Sequence, residues 1–134
     1  MSENKVKTLR WVEDHLEMID QRILPADFQY ISYNSAASVA DGIRSMVVRG
    51  APAIGCAAAY GVALEALSLQ DDSMDEFSKS MEHAFKILLQ SRPTAINLFW
   101  AIDRMQSIMN ENVSQTPKEI ANTLLTEAHK ILNE

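Results

Sequence analysis

Cysteine is nearly absent. A single one, Cys56, stands among 134 residues, so an internal disulfide and a cysteine-rich metal site are both excluded, as fits a reducing cytosol. Basic charge is short as well: 12 Lys and Arg face 18 Asp and Glu, a formal net charge of −6, which leaves no electropositive face for nucleic acid or an anionic membrane. Glycine and proline number four each and gather into no linker, and there is no internal repeat or low-complexity tract. The most apolar stretch, residues 51–64, is interrupted by Pro52, Gly55 and Gly61 and stopped by Glu65, short of the roughly 20 residues a spanning helix needs. The start, Met1-Ser2-Glu3-Asn4-Lys5-Val6-Lys7, is polar with no apolar run behind it, so no secretory leader is read there. His15, His83 and His129 are isolated and read as surface or capping residues, and no paired carboxylates stand out for acid–base work. The expectation is an acidic cytoplasmic protein with one core, without metal or cofactor and with neither nucleic-acid nor membrane partners.

What is present has a clear change of period. Leu9-Arg10-Trp11-Val12, Leu16-Glu17-Met18-Ile19 and Tyr30-Ile31-Ser32-Tyr33 alternate and are rich in β-branched and aromatic residues, which predicts a small antiparallel sheet. After Asn34, Ala36, Val39, Ala40, Ile43, Met46 and Val47 fall three and four apart, on one face of a helix. Two later helix starts carry capping boxes, Ser73-Met74-Asp75-Glu76 and Thr116-Pro117-Lys118-Glu119. Three apolar stripes follow: Phe77, Met81, Ala84, Phe85 and Leu88; Ala95, Leu98, Phe99, Ile102 and Met105; Ile120, Leu124, Ala128 and Ile131. With residues 52–69 this predicts a mostly helical α+β fold, a sheet segment over 1–34 and a bundle of about five helices over 35–134.

Met46-Val47-Val48-Arg49-Gly50-Ala51-Pro52-Ala53-Ile54-Gly55 joins a helix end to a helix start through an arginine, a glycine that permits positive φ and a proline suited to a first turn. Unpaired N–H groups and partial positive charge make such a start an anion site, to which an arginine adds a forked pair of hydrogen bonds. Spacing alone leaves open a plainer role, an arginine beside the carbonyl end of the preceding helix. Arg92, in Ser91-Arg92-Pro93-Thr94-Ala95-Ile96-Asn97, precedes a second helix start. Two arginines at two helix openings are able to converge on one anion. Taken alone, however, that segment favours a surface arginine beside a cap, with Thr94 or Asn97 in local hydrogen bonds. Cys56 lies in a small-residue helix with no basic neighbour and reads as a small buried hydrophobe.

Taken together, Leu9-Arg10-Trp11, Ile19-Asp20-Gln21-Arg22-Ile23-Leu24-Pro25, the arginine-glycine-alanine-proline segment, Ala57-Ala58-Ala59-Tyr60-Gly61 and Ser91-Arg92-Pro93-Thr94-Ala95-Ile96-Asn97-Leu98-Phe99-Trp100-Ala101 resemble the methylthioribose-1-phosphate isomerases. That family is related to the regulatory subunits of the eukaryotic initiation exchange factor. The resemblance covers nearly the whole chain and implies the amino-terminal part of a methionine-salvage enzyme that turns 5-methylthioribose 1-phosphate into its ketose. It also implies a homodimer for the full-length family and a Rossmann-like carboxy-terminal domain that this sequence lacks. Arg49, Gly50, Ala51 and Arg92 take the phosphosugar-binding positions. The family's catalytic cysteine and aspartate lie beyond this sequence, Cys56 does not match that cysteine's motif, and the chain alone is expected to be inactive. The alternative is a non-catalytic helical module for a sugar phosphate or a protein partner. One departure, Asp14-His15 where the family often has aspartate-glycine, bears on the first hairpin.

Overall fold

The computed structural model describes residues 8–133 apart from Pro25 and Arg49, so the polar start read for a leader lies outside the described residues. Three strands, β1 (Leu9–Val12), β2 (His15–Ile19) and β3 (Tyr30–Tyr33), form an antiparallel sheet in that order. The first hairpin closes on two residues, with Val12 opposite His15 and the turn carried by Glu13 at φ 54°. The departure at Asp14-His15 therefore leaves the hairpin intact. Leu9, Leu16, Met18 and Tyr33 are buried against the helices, while Arg10 pairs with Glu17 across the outer face at 2.8 Å.

Five helices follow: α1 (Ala36–Arg44), α2 (Ala51–Ser68), α3 (Met74–Ser91), α4 (Ile96–Glu111) and α5 (Pro117–Leu132). α2 is the axis, packed against each of the other four. Its small residues, Ala57, Ala58, Ala59, Gly61 and Ala63, let neighbouring helices approach from every side. By length and composition α2 is apolar enough to cross a membrane, yet most of it is buried inside the bundle. The fold is the expected one, a small sheet followed by a bundle.

The stripes on α3 and α5 are buried as predicted. Two other readings change. α1 stops at Arg44, and Met46 lies beyond it, 41% exposed, with φ 69°, because the chain reverses there to enter α2. On α4 the buried face is Leu98, Ala101, Ile102, Met105 and Met109, whereas Phe99 points outward, since the contact with α2 runs one residue round from the predicted stripe. Thr116 and Glu119 complete their reciprocal capping box, but at α3 only half of one forms: Ser73 accepts from the Glu76 amide without the return bond. A box absent from the sequence reading occurs at α1, where Ser35 and Ser38 cap each other.

The sheet is fastened to the bundle by an aromatic cluster. Trp11 stacks on Tyr60 with ring centroids 5.4 Å apart, and both meet His129 edge-on. The Tyr60 hydroxyl, fully buried, lies 2.7 Å from His129 Nδ1 and donates to it when the neutral ring carries its proton on Nε2. Burial pushes the Tyr60 phenol up to about 12. His129 is thus half-buried in the fold's interior and not the surface residue expected from sequence.

Candidate functional site

Three of the five helices begin with a hydroxyl cap, at Ser35, Ser73 and Thr116. The other two, α2 and α4, begin on Gly50 and Ala95 with no side-chain cap, and these two starts face one another across a single cavity of about 480 Å³. Gly50, at φ 97°, adopts a conformation that a side chain rarely tolerates. The first intrahelical bond runs from the Ile54 amide to the Gly50 carbonyl at 3.0 Å. Pro52 has no N–H, so the donors left over at this start belong to Gly50, Ala51 and Ala53.

What brings the two starts together is Gly55. A Cβ built there would sit 3.2 Å from the Asn97 carbonyl oxygen, so a larger residue would push the backbone of α4 back by a few tenths of an ångström. As a result Gly50, Ala51 and Ile54 form one wall of the cavity, and Arg92, Thr94, Ala95, Ile96 and Asn97 the other. Among the described residues no carboxylate pairs with Arg92, and neither Thr94 nor Asn97 spends its side chain on a local hydrogen bond. An unpaired guanidinium with uncapped amides and a helix dipole on each side is an arrangement that favours a bound anion.

Of the residues singled out from sequence, Gly50, Ala51 and Arg92 therefore share one cavity; Arg49 lies outside the described residues. Thr94 and Asn97, which in sequence read only as local hydrogen-bonding groups, line the same cavity. Beside the cavity, Ile96, Phe99 and Trp100 are 80%, 43% and 50% exposed, an apolar rim on α4. Cys56 is buried, as expected for a small hydrophobe. Among the described residues no three His, Cys, Asp or Glu side chains gather where a metal ion could be held.

A second polar feature stands behind the chain that enters α2. Asp20 is 5% exposed, and its carboxylate accepts from the Arg22 main-chain amide at 3.1 Å and from Arg22 Nε and Nη2, each at 2.8 Å. The Arg22 guanidinium holds that carboxyl below the ordinary aspartate value. At the sheet's outer face His15 and Arg10 lower Glu17, while Asp14 and Glu17 raise His15.

These shifts fix a pH window. A lowered carboxyl stabilises the fold above its ordinary value, 3.8 for Asp20 and 4.5 for Glu17, and the contribution is lost as pH falls through the lower folded value. A raised imidazole does the reverse, stabilising below 6.5 and losing its effect as pH climbs past the raised value. The thermal midpoint is therefore expected to be highest between 4.5 and 6.5 as far as these groups are concerned. His15→Gln should remove the decline on the alkaline side; a wild-type profile in which the variant changes nothing would count against the assignment.

A three-stranded sheet pinned to a bundle, with two helix starts that lack a side-chain cap and Arg92 around one cavity, defines a small α+β module. The chain belongs to the Initiation factor 2 subunit family, which it matches over residues 47–134. It is 56% identical over 126 residues to the methylthioribose-1-phosphate isomerase of Albidiferax ferrireducens, an alignment covering 94% of this chain and 36% of that protein. Among solved structures, the 5-methylthioribose 1-phosphate isomerase of Pyrococcus horikoshii superposes with a TM-score of 0.88 at 40% identity, covering 92% of this chain and 35% of that one. The delta subunit of the translation initiation factor eIF-2B from A. fulgidus superposes with a TM-score of 0.86 at 34% identity, covering 95% and 36%. The chain thus spans about a third of the length of the relatives it matches.

Proposed function

We propose that this chain is the amino-terminal, phosphate-holding part of a methylthioribose-1-phosphate isomerase, the cytosolic, homodimeric enzyme that converts 5-methylthioribose 1-phosphate to 5-methylthioribulose 1-phosphate in methionine salvage. The observation that carries this reading is the convergence of two uncapped helix starts and Arg92 on one cavity. Gly50 and Ala51 would supply backbone donors and Arg92 a charged fork, with Arg49 as the neighbouring cation in sequence.

The chemistry accounts for a division of labour. A phosphate on the anomeric carbon blocks spontaneous ring opening, so the ring must be opened before hydrogen moves between the first two carbons, and that step needs a positioned acid or base. Among the described residues lining the cavity there is no carboxylate, imidazole or thiol. The contribution of this chain is to fix and orient the phosphate, and the acid–base groups come from the part of the isomerase that the chain does not span.

Calorimetric titration of the chain with 5-methylthioribose 1-phosphate tests the reading. Binding is expected, with competition by inorganic phosphate, no binding of unphosphorylated 5-methylthioribose, and no ketose formed. Equal affinity for the two sugars would sink the phosphate site, and turnover by the chain itself would overturn the division of labour. The likeness to the eIF-2B delta subunit and the exposed Ile96, Phe99 and Trp100 favour a second reading, a non-catalytic module that docks a protein partner on this rim. Absence of phosphate binding together with concentration-dependent self-association would favour it.

A further inference from the structure

The segment Asp20-Gln21-Arg22 takes no part in the cavity, yet it grips the chain that leads into it. The Asp20 carboxylate, sealed from solvent, folds the main chain over Gln21 by accepting from the Arg22 amide and is locked there by the Arg22 fork. This turn aims the Gln21 amide at the Val47 carbonyl, 2.9 Å away, while the Val47 amide donates to the Gly42 carbonyl at the end of α1, also at 2.9 Å. Val47 is therefore held from both sides. Its side chain and that of Val48 are buried, at 3% and 0% exposed. Three residues after Val47 comes Gly50, whose carbonyl opens α2 and which lines the cavity. A left-handed residue, Met46, precedes the grip and turns the chain where it leaves α1.

We propose that Asp20 and Arg22 are positioning residues for the phosphate site: their ion pair sets the Gln21 amide, which fixes the Val47 carbonyl and through it the direction in which the amides of Gly50 and Ala51 face the cavity. The inference rests on the reading of that cavity as a phosphate site. Donors that are already oriented need no reordering when the anion arrives, which is where a distant ion pair gains influence on affinity. Neither Asp20 nor Arg22 lines the cavity.

The test compares Asp20→Asn and Arg22→Gln with Thr116→Ala, a loss of the hydroxyl cap of α5 at a helix start that lines no part of the cavity. Inorganic phosphate is titrated against the whole chain, and backbone amide exchange is followed by NMR. Both positioning variants are expected to weaken phosphate binding roughly tenfold and to speed exchange at the Gln21 and Val47 amides. Thr116→Ala should lower the unfolding midpoint and leave affinity unchanged. Arg22→Gln, at a side chain 47% exposed, keeps the test open if Asp20→Asn does not fold. Unaltered affinity in folded variants overturns the proposal, as does an equal loss in Thr116→Ala, because affinity would then follow stability alone. If the wild type binds no phosphate, the cavity reading fails by itself. In that case unchanged exchange at Gln21 and Val47 would still overturn the grip, and faster exchange would uphold it.

Discussion

Tyr60→Ala is expected to cost about 3–5 kcal/mol, the range for removing a large buried aromatic side chain. Three losses combine at this position. The ring is fully buried, so its removal leaves a cavity at the axis of the bundle. Trp11 loses the face it stacks on, and with it much of the join between β1 and α2. His129 Nδ1 loses its hydrogen-bond partner inside the fold. Tyr60→Phe separates these contributions, since it keeps ring and stacking and removes only the hydroxyl, for an expected cost of about 1–2 kcal/mol. For a domain whose whole stability is on the order of 5–15 kcal/mol, the alanine variant should lose a large fraction of the total and unfold at a much lower urea concentration. Urea unfolding followed by circular dichroism measures both costs. Trp11 and Trp100 are the two tryptophans, and only Trp11 touches Tyr60, so a fluorescence change in the native baseline of Tyr60→Ala reports the sheet contact directly. A cost below about 1 kcal/mol would mean that the cluster is not the fastening described above.

The elements themselves were legible in the sequence because each has a local period. Alternation marked β1 to β3, and every residue of the apolar stripes on α3 and α5 is buried, the faces widening only to Ser91 and Ala121. Where the reading slipped, a tertiary contact decided. Phe99 has the spacing of a core residue on α4, but α2 approaches that helix at Gly55, and the approach rotates the buried face onto Ala101 and Met109. Met46 continues the α1 stripe in sequence, but the chain must reverse to reach α2, and Met46 takes the left-handed conformation that the reversal needs. His129 looked isolated because its partner lies 69 residues away.

The cavity was half legible for the same reason. Gly50, Ala51 and Arg92 were readable as two separate helix openings. That the openings meet depends on the Gly55 contact with the backbone at Asn97, which no local pattern announces. The grip of Gln21 on Val47 was equally hidden, since it is a main-chain hydrogen bond between segments 26 residues apart, and main-chain donors leave no mark in the side-chain code. The fold therefore uses two long-range backbone contacts to place one pair of helix starts.

Arg92→Ala is expected to remove most of the phosphate affinity of the chain while leaving its stability within about 0.5 kcal/mol of the wild type. A charge-assisted hydrogen bond to an anion is worth about 1.5–3 kcal/mol, so affinity should fall about 10- to 150-fold. The stability side of the prediction follows from what Arg92 does not do. Its carbonyl accepts from the Ala95 amide, a bond that alanine retains, and among the described residues its side chain pairs with no carboxylate that truncation would orphan. The affinity change can thus be read without a correction for unfolding. Arg92→Lys distinguishes charge from shape: a lysine keeps the positive charge but not the planar fork, so it should recover part of the affinity, and that part should weaken most as ionic strength rises. If Arg92→Lys binds as tightly as the wild type, the guanidinium geometry is irrelevant and the site acts through net charge. If Arg92→Ala binds phosphate unchanged, the two helix starts hold the anion without the arginine, or the anion lies elsewhere. Isothermal titration with inorganic phosphate at two salt concentrations decides among these outcomes.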